Sequence, residues 1–123
     1  MTDRFDFLEI TPRDFEKSLA FYRDVMGWVV LTAASTVGNK QNTVVSGGSI
    51  RIQLRHAPNS SHAATSAMTL YLDIHDAHHR FAKIPPGEHI IKTPCPDEFG
   101  KLHFVLRDPD GYTIVFNELR QRS

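Results

Sequence analysis

Phe7-Leu-Glu-Ile-Thr-Pro-Arg-Asp14 running into Phe15-Glu-Lys-Ser-Leu-Ala-Phe-Tyr22 is answered later in the chain by Thr69-Leu-Tyr-Leu-Asp-Ile-His-Asp76 running into Ala77-His-His-Arg-Phe81. Each stretch reads as a strand, a polar turn and an amphipathic helix, and Asp76 follows Asp14 by 62 residues. A pattern that recurs at such a spacing marks a duplicated structural unit.

In the first unit, alternation puts Phe5, Phe7, Glu9 and Thr11 on one side of a strand and Asp6, Leu8 and Ile10 on the other, with Leu8 and Ile10 facing the helix. A capping residue, a first-turn proline and an acidic residue in Thr11-Pro-Arg-Asp14 predict that a helix begins between Thr11 and Phe15. Phe15, Leu19, Tyr22 and Met26 form its apolar stripe, and Gly27 ends it. Residues 28–32, 42–46 and 49–56 read as three further strands, with Gly47-Gly48 as a hairpin turn between the last two.

The second unit keeps this order. Residues 68–74 read as a strand, Asp76 caps a helix over 77–84 with Ala77, Phe81 and Ile84 inward, and Pro85-Pro86-Gly87 stops it. Three more strands follow at 90–93, 102–107 and 112–119, the last two joined by the turn Asp108-Pro-Asp-Gly111. The expected fold is α+β, two βαβββ repeats in a single domain over 1–123: unit one at about 5–57, a polar linker at 58–66, unit two at about 67–120.

Composition narrows the partners. Lys plus Arg equal Asp plus Glu at 14 each, which gives no electrostatic reason to expect nucleic acid or an anionic membrane. No stretch approaches the ~20 apolar residues of a membrane span, the N-terminus lacks a signal peptide's apolar region, and Cys95 has no cysteine to pair with. The expectation is a cytoplasmic protein.

Asp14-Phe-Glu-Lys-Ser-Leu-Ala-Phe-Tyr-Arg-Asp-Val-Met-Gly27 and Phe104-Val-Leu-Arg-Asp-Pro-Asp-Gly-Tyr-Thr-Ile114 resemble the two signature regions of the vicinal oxygen chelate superfamily. That superfamily includes glyoxalase I, bleomycin resistance proteins, extradiol dioxygenases and fosfomycin resistance enzymes. The resemblance covers nearly the whole chain. It implies eight strands forming a curved sheet or two paired sheets around a cup, commonly in a homodimer. In metal-dependent members, His, Glu or Gln ligands sit on the first and last strands of each unit and point into the cup.

Carried over by register, those ligand positions fall on Phe7, Gln53, Thr69 and Val115, of which only Gln53 has a ligating side chain of the family's kind. A divalent ion needs three or four N, O or S donors. The expectation is therefore no metal and no cofactor. A one-residue shift brings in Leu8, Ile52 or Leu54, Met68 or Leu70 and Ile114 or Phe116, all apolar, whereas a two-residue shift, which preserves the face, brings in Glu9, Tyr71, Asp73 and Asn117.

Without a metal, the cup reads as a small-molecule pocket. Strand parity puts Phe7, Glu9, Arg51, Gln53, Arg55, Thr69, Tyr71, Asp73, Val115 and Asn117 on its inward side, an apolar floor with a few polar groups. The alternative is that Phe7, Thr69 and Val115 fill the sheet interior while Arg51 and Asp73 reach solvent at strand ends. Glu9, a carboxylate in mid-strand, must either pair or hold its proton more tightly, and both suit a base or a cation anchor.

Other side chains read more naturally as structural. His75, His78 and His79 have a metal-compatible spacing but no carboxylate or cysteine to complete a set. His103 is an acid or base if its strand face turns to the cup, Cys95 sits between prolines with no adjacent cation, and Trp28 belongs to the core or a dimer interface unless it stacks on a ligand.

Two functions follow from the resemblance. One is a binding protein similar to bleomycin resistance proteins, sequestering a drug or metabolite and acting in antibiotic resistance. Because bleomycin is large and cationic while this chain has zero formal net charge, drug binding as a class fits better than bleomycin itself. The other is a metal-independent lyase or isomerase in which Glu9 takes a proton and Arg51, Arg55 or Tyr71 stabilises the oxyanion. A metal-dependent lyase or dioxygenase with unorthodox ligands is a third.

Overall fold

Two aspartates start both helices in the same way. In the computed structural model, which describes residues 3, 5–33, 42–55 and 68–119, Asp14 accepts from the Lys17 N–H at 3.1 Å and opens α1 (Phe15–Ala20). Asp76 accepts from the His79 N–H at 3.1 Å and opens α2 (Ala77–Ala82). Each carboxylate satisfies a first-turn donor that has no partner within the helix. The cap of the first helix is thus Asp14 rather than Thr11.

The chain divides into two compact units, residues 1–63 and 64–123. The first holds β1 (Leu8–Ile10), α1, β2 (Val29–Ala33), β3 (Asn42–Ser46) and β4 (Arg51–Arg55), in the sheet order β1-β4-β3-β2. The second holds β5 (Thr69–Ile74), α2, β6 (Ile90–Pro96), β7 (Leu102–Arg107) and β8 (Thr113–Glu118), in the order β5-β8-β7-β6. In both, the first and last strands run parallel at one side of a mixed sheet and the others are antiparallel.

The duplication extends to register. Leu8, Glu9 and Ile10 face Ile52, Gln53 and Leu54, and adding 62 to every number gives the pairing of Leu70, Tyr71 and Leu72 with Ile114, Val115 and Phe116. The offset drops by one in the middle strands, where Val44 faces Gln53 but Val105 faces Val115. The hairpin connections explain this, since residues 47–50 join β3 to β4 and the longer 108–112 joins β7 to β8.

One face of each sheet carries the core. Ile10, Val45, Ile52 and Leu54 are buried in the first unit with Tyr22, Met26 and Trp28. In the second, Phe104, Leu106, Ile114 and Phe116 lie under α2, with Phe81 edge-on to Phe104 at 5.2 Å and the Arg80 guanidinium 5.1 Å over the Phe116 ring. Burial pulls the Arg80 guanidinium below its ordinary range, and its contact with the ring face offsets part of the lost hydration.

Some elements depart from the sequence reading. After Ala20 the helix widens into a π-helical turn, Phe21–Val25, with the Met26 N–H reaching the Phe21 carbonyl at 2.9 Å. This extra residue keeps Tyr22 and Met26 buried, and Gly27 then turns at φ 73. β1 is shorter than expected and leaves Phe5 and Phe7 exposed outside it. β6 runs on through Pro94 and Pro96, which an edge strand with irregular pairing tolerates because the missing N–H groups need not serve a second neighbour. Strand residue His56 and the linker at 58–66 lie outside the described residues.

Asp108-Pro-Asp-Gly111 forms the expected turn, with buried Asp108 accepting from the N–H groups of Asp110 and Tyr112 at 2.9 Å each. The connection at 47–50 is wider than a two-residue turn, closing from the Gly47 N–H to the Ile50 carbonyl at 2.9 Å. A Cβ on Gly47 would lie 2.4 Å from Cε2 of Trp28. Gly47→Ala is expected to cost about 1–3 kcal/mol through this overlap, read as a lower urea midpoint; an unchanged midpoint would show that the indole yields freely.

Candidate functional sites on the open sheet faces

Residues that alternate with the buried ones define the opposite face of each sheet. In the first unit, Glu9, Arg51, Gln53 and Arg55 alternate with Ile10, Ile52 and Leu54. Register makes Gln53, not Arg51 or Arg55, the direct neighbour of Glu9, and the Gln53 amide donates to Glu9 Oε2 at 2.7 Å. An Arg55 guanidinium nitrogen lies 3.7 Å from Glu9 Oε1. Both carboxylate oxygens are therefore held, yet the side chains of Glu9 and Arg55 remain 41% and 42% exposed. Of the two outcomes open to a mid-strand carboxylate, pairing is the one that geometry supplies. Arg51 instead pairs with Asp6 at 2.7 Å. Phe7 is exposed and lies outside β1.

In the second unit, Thr69, Tyr71 and Asp73 occupy the exposed side of β5, with Tyr71 71% exposed. Tyr71, Val115, Val105 and Lys92 fall in one row across the sheet, and Asp73, Asn117, His103 and Cys95 in the next. Both rows lie opposite buried Phe104 and Phe116. Of the ten residues expected to line the cup, Tyr71, Asp73, Val115 and Asn117 pair as two rows on β5 and β8, Arg51, Gln53 and Arg55 lie on β4, Glu9 on β1, Thr69 at the start of β5, and Phe7 just before β1.

His103 joins this face because Phe104 and Leu106 take the other, a choice the sequence left open. Its Nδ1 lies 2.9 Å from the Cys95 carbonyl oxygen. A carbonyl only accepts, so Nδ1 carries the proton and a neutral ring presents a lone pair at Nε2. Asp97, in the loop that follows β6, accepts from the N–H groups of Lys101 and Phe99. Those bonds, with nearby His103 and Lys101, hold its carboxyl below the usual carboxylate range.

The remaining candidates separate. Trp28 is buried against Tyr22 at 5.5 Å, in the core of its unit. His75, His78 and His79 are exposed, and among the described residues no three His, Cys, Asp or Glu side chains gather as a metal site would require. The positions carried over from metal-dependent relatives offer the Gln53 amide, which is donating to Glu9, the Thr69 hydroxyl and two hydrocarbon side chains at Phe7 and Val115. This donor set does not fit a resident divalent ion.

Among the described residues, no helix is long and apolar enough to cross a membrane. No curated protein matches the chain. Among solved structures it is similar to UcmS2, at 18% identity and a TM-score of 0.80, covering 97% of this chain and 100% of that one. TioX from Micromonospora sp. ML1 aligns at 16% identity and TM-score 0.71, over 93% and 98% of the two chains. A glyoxalase I variant from Zea mays aligns at 17% identity and TM-score 0.79; 96% of this chain matches 45% of that longer one. Identities this low establish a shared fold. The family model for the Glyoxalase/Bleomycin resistance protein/Dioxygenase superfamily matches residues 4–116, and with the duplicated βαβββ units the chain belongs to that superfamily.

Proposed function

We propose that the protein is a metal-independent small-molecule binding protein of this superfamily, sequestering a drug or metabolite on its open sheet faces, as a homodimer in the cytoplasm. The observation that carries the reading is Glu9, held through both oxygens by Gln53 and Arg55 at 2.7 and 3.7 Å yet open to solvent. Such a carboxylate is pre-positioned for a ligand's cation or hydrogen-bond donor, so little ordering remains to be done on binding. Exposed Tyr71 and Thr69, with Val115 beside them, supply apolar contact and hydroxyls on the second unit.

A second reading is a metal-independent lyase or isomerase with Glu9 as the base and Arg51 or Arg55 of the same sheet facing the oxyanion. It is supported by the same carboxylate, since an ionised Glu9 beside a guanidinium is a proton acceptor with a cation at hand.

A thermal-shift screen against antibiotics, aromatic metabolites and glutathione conjugates, followed by a turnover assay on every hit, separates the two. Binding without product is expected; product from any hit moves the assignment to the enzyme. Elemental analysis of the same protein, purified without a His tag, is expected to find no stoichiometric divalent ion. Finding one would revive a metal-dependent lyase or dioxygenase with unorthodox ligands.

A further inference from the structure

We propose that a cleft at the end of the second unit's parallel strand pair binds a zwitterionic amino acid with an apolar side chain. The cleft, about 490 Å³, is lined by His75, Asp76, Phe99, Gly100, Lys101, Glu118 and Leu119. It is separate from the open face, because Glu118 alternates with Asn117 and sits on the helix side with buried Ile114 and Phe116. The inference therefore does not rest on the function proposed above.

Three charges with incomplete partners set the ligand's chemistry. Glu118 accepts from the Ala77 N–H through Oε2 at 2.8 Å, and Asp76 accepts from the His79 N–H through Oδ1 at 3.1 Å. Each bond uses one oxygen of a carboxylate that has two. The same bonds fill first-turn amides of α2, so the helix start is not left open to an anion. Lys101, by contrast, makes no ion pair within 4 Å among the described residues, although the Asp97 carboxylate lies near enough to feel its charge. A simple cation would satisfy Asp76 and Glu118 and be repelled by Lys101; a simple anion would do the reverse. A molecule carrying an ammonium and a carboxylate answers both.

The apolar part follows from the loop between β6 and β7. Asp97 Oδ1 accepts from the N–H groups of Phe99 and Lys101 at 2.8 and 2.9 Å, the Asp97 N–H returns to the Lys101 carbonyl at 2.7 Å, and Gly100 turns at φ 80. This closed loop fixes Phe99 and Lys101 together. It leaves the Phe99 ring 72% exposed at the cleft, whose lining is otherwise largely polar and to which Leu119 adds the other large apolar side chain. The ammonium is assigned to Asp76 and Glu118, the carboxylate to Lys101 and the side chain to Phe99 and Leu119.

The test titrates L-phenylalanine, phenethylammonium and 3-phenylpropionate into the full chain, reading the amide NMR shifts of Ala77, Phe99 and Gly100. L-Phenylalanine is expected to bind at least about tenfold more tightly than either half-molecule. Asp76→Asn with Glu118→Gln keeps acceptors for both helix amides while removing the charges. It is expected to weaken L-phenylalanine about tenfold or more and to leave 3-phenylpropionate no weaker. Lys101→Gln, which touches neither cap, is expected to weaken L-phenylalanine similarly and spare phenethylammonium. The proposal is overturned if L-phenylalanine binds no better than its halves, if neutralising either side leaves its affinity unchanged, or if these amides do not shift at on the order of 10 mM.

Discussion

Phe104→Ala is expected to lower the stability of the protein by about 3–5 kcal/mol, the range for truncating a fully buried aromatic. Phe104 has no solvent exposure, stacks on Phe116 with ring centroids 4.3 Å apart, and receives the edge of Phe81 at 5.2 Å. It is the place where β7, β8 and α2 share one contact. Truncation removes both ring contacts and leaves a cavity that the paired strands cannot close without breaking register. A total stability of roughly 5–15 kcal/mol would not absorb this without a large fall in the urea midpoint. Phe104→Leu keeps much of the volume and is expected to cost less than half as much; Phe81→Ala, at a partly exposed position, should fall between wild type and Phe104→Ala. Equal midpoints for Phe104→Ala and wild type would mean that the stacked triad is not the core of the second unit.

The elements that were legible in the sequence are those whose cause is local. Asp76 caps its helix as read, and the first helix starts within Thr11 to Phe15 as expected although its cap is Asp14 and not Thr11, because the capping chemistry of a few adjacent residues decides both starts. Asp108 to Gly111 similarly contains its own turn. Where the reading missed, a non-local contact decided. The π-helical turn at Phe21–Val25 exists because the path to Trp28, packed on Tyr22, needs an extra residue before Gly27. The extension of β6 through Pro94 and Pro96 depends on β6 lying at a sheet edge, which no stretch of local sequence announces.

The same distinction governs the candidate sites. Alternation, with Ile10, Ile52 and Leu54 as the apolar set of their strands, places Glu9, Gln53 and Arg55 on one face, because a strand has only two. Which of them touch is a matter of register: the one-to-one match of Glu9 with Gln53 sends Arg51 to Asp6 and leaves Arg55 as the guanidinium beside Glu9. Alternation in Leu102 to Arg107 groups His103 with Val105 and Arg107 against Leu102, Phe104 and Leu106, but only packing under α2 shows that the face of Phe104 and Leu106 is the buried one. The cleft between Lys101 and Glu118 had no sequence signal at all. Its lining comes from a strand end, a helix start and a hairpin loop that are distant in the chain.

Glu9→Gln is the substitution that separates anchoring from catalysis. It removes one negative charge and keeps the shape, and the loss of an exposed pair with Arg55 contributes little to stability, about 0–1 kcal/mol. The thermal midpoint without ligand is therefore expected to stay near wild type. If Glu9 anchors a ligand's cation or donor, affinity for a screen hit should fall by about ten- to a hundredfold, the loss of one charge-assisted hydrogen bond. If Glu9 is instead the base, turnover of a verified substrate should drop by about 10²–10⁴-fold while binding changes far less. The amide keeps the shape but neither the charge nor the basicity of the carboxylate, so an anchor shows its loss in affinity and a base shows its loss in turnover, and the two come apart in the same variant. Arg55→Gln supplies the complementary reading. Removing the guanidinium frees Glu9 Oε1, so a cationic ligand should bind Arg55→Gln at least as tightly as wild type, whereas an oxyanion formed in a reaction would lose its partner and turnover would fall. Unchanged affinity and unchanged turnover in Glu9→Gln would remove this carboxylate from both accounts and turn the search to the second unit's open face, with Tyr71, Asp73 and His103.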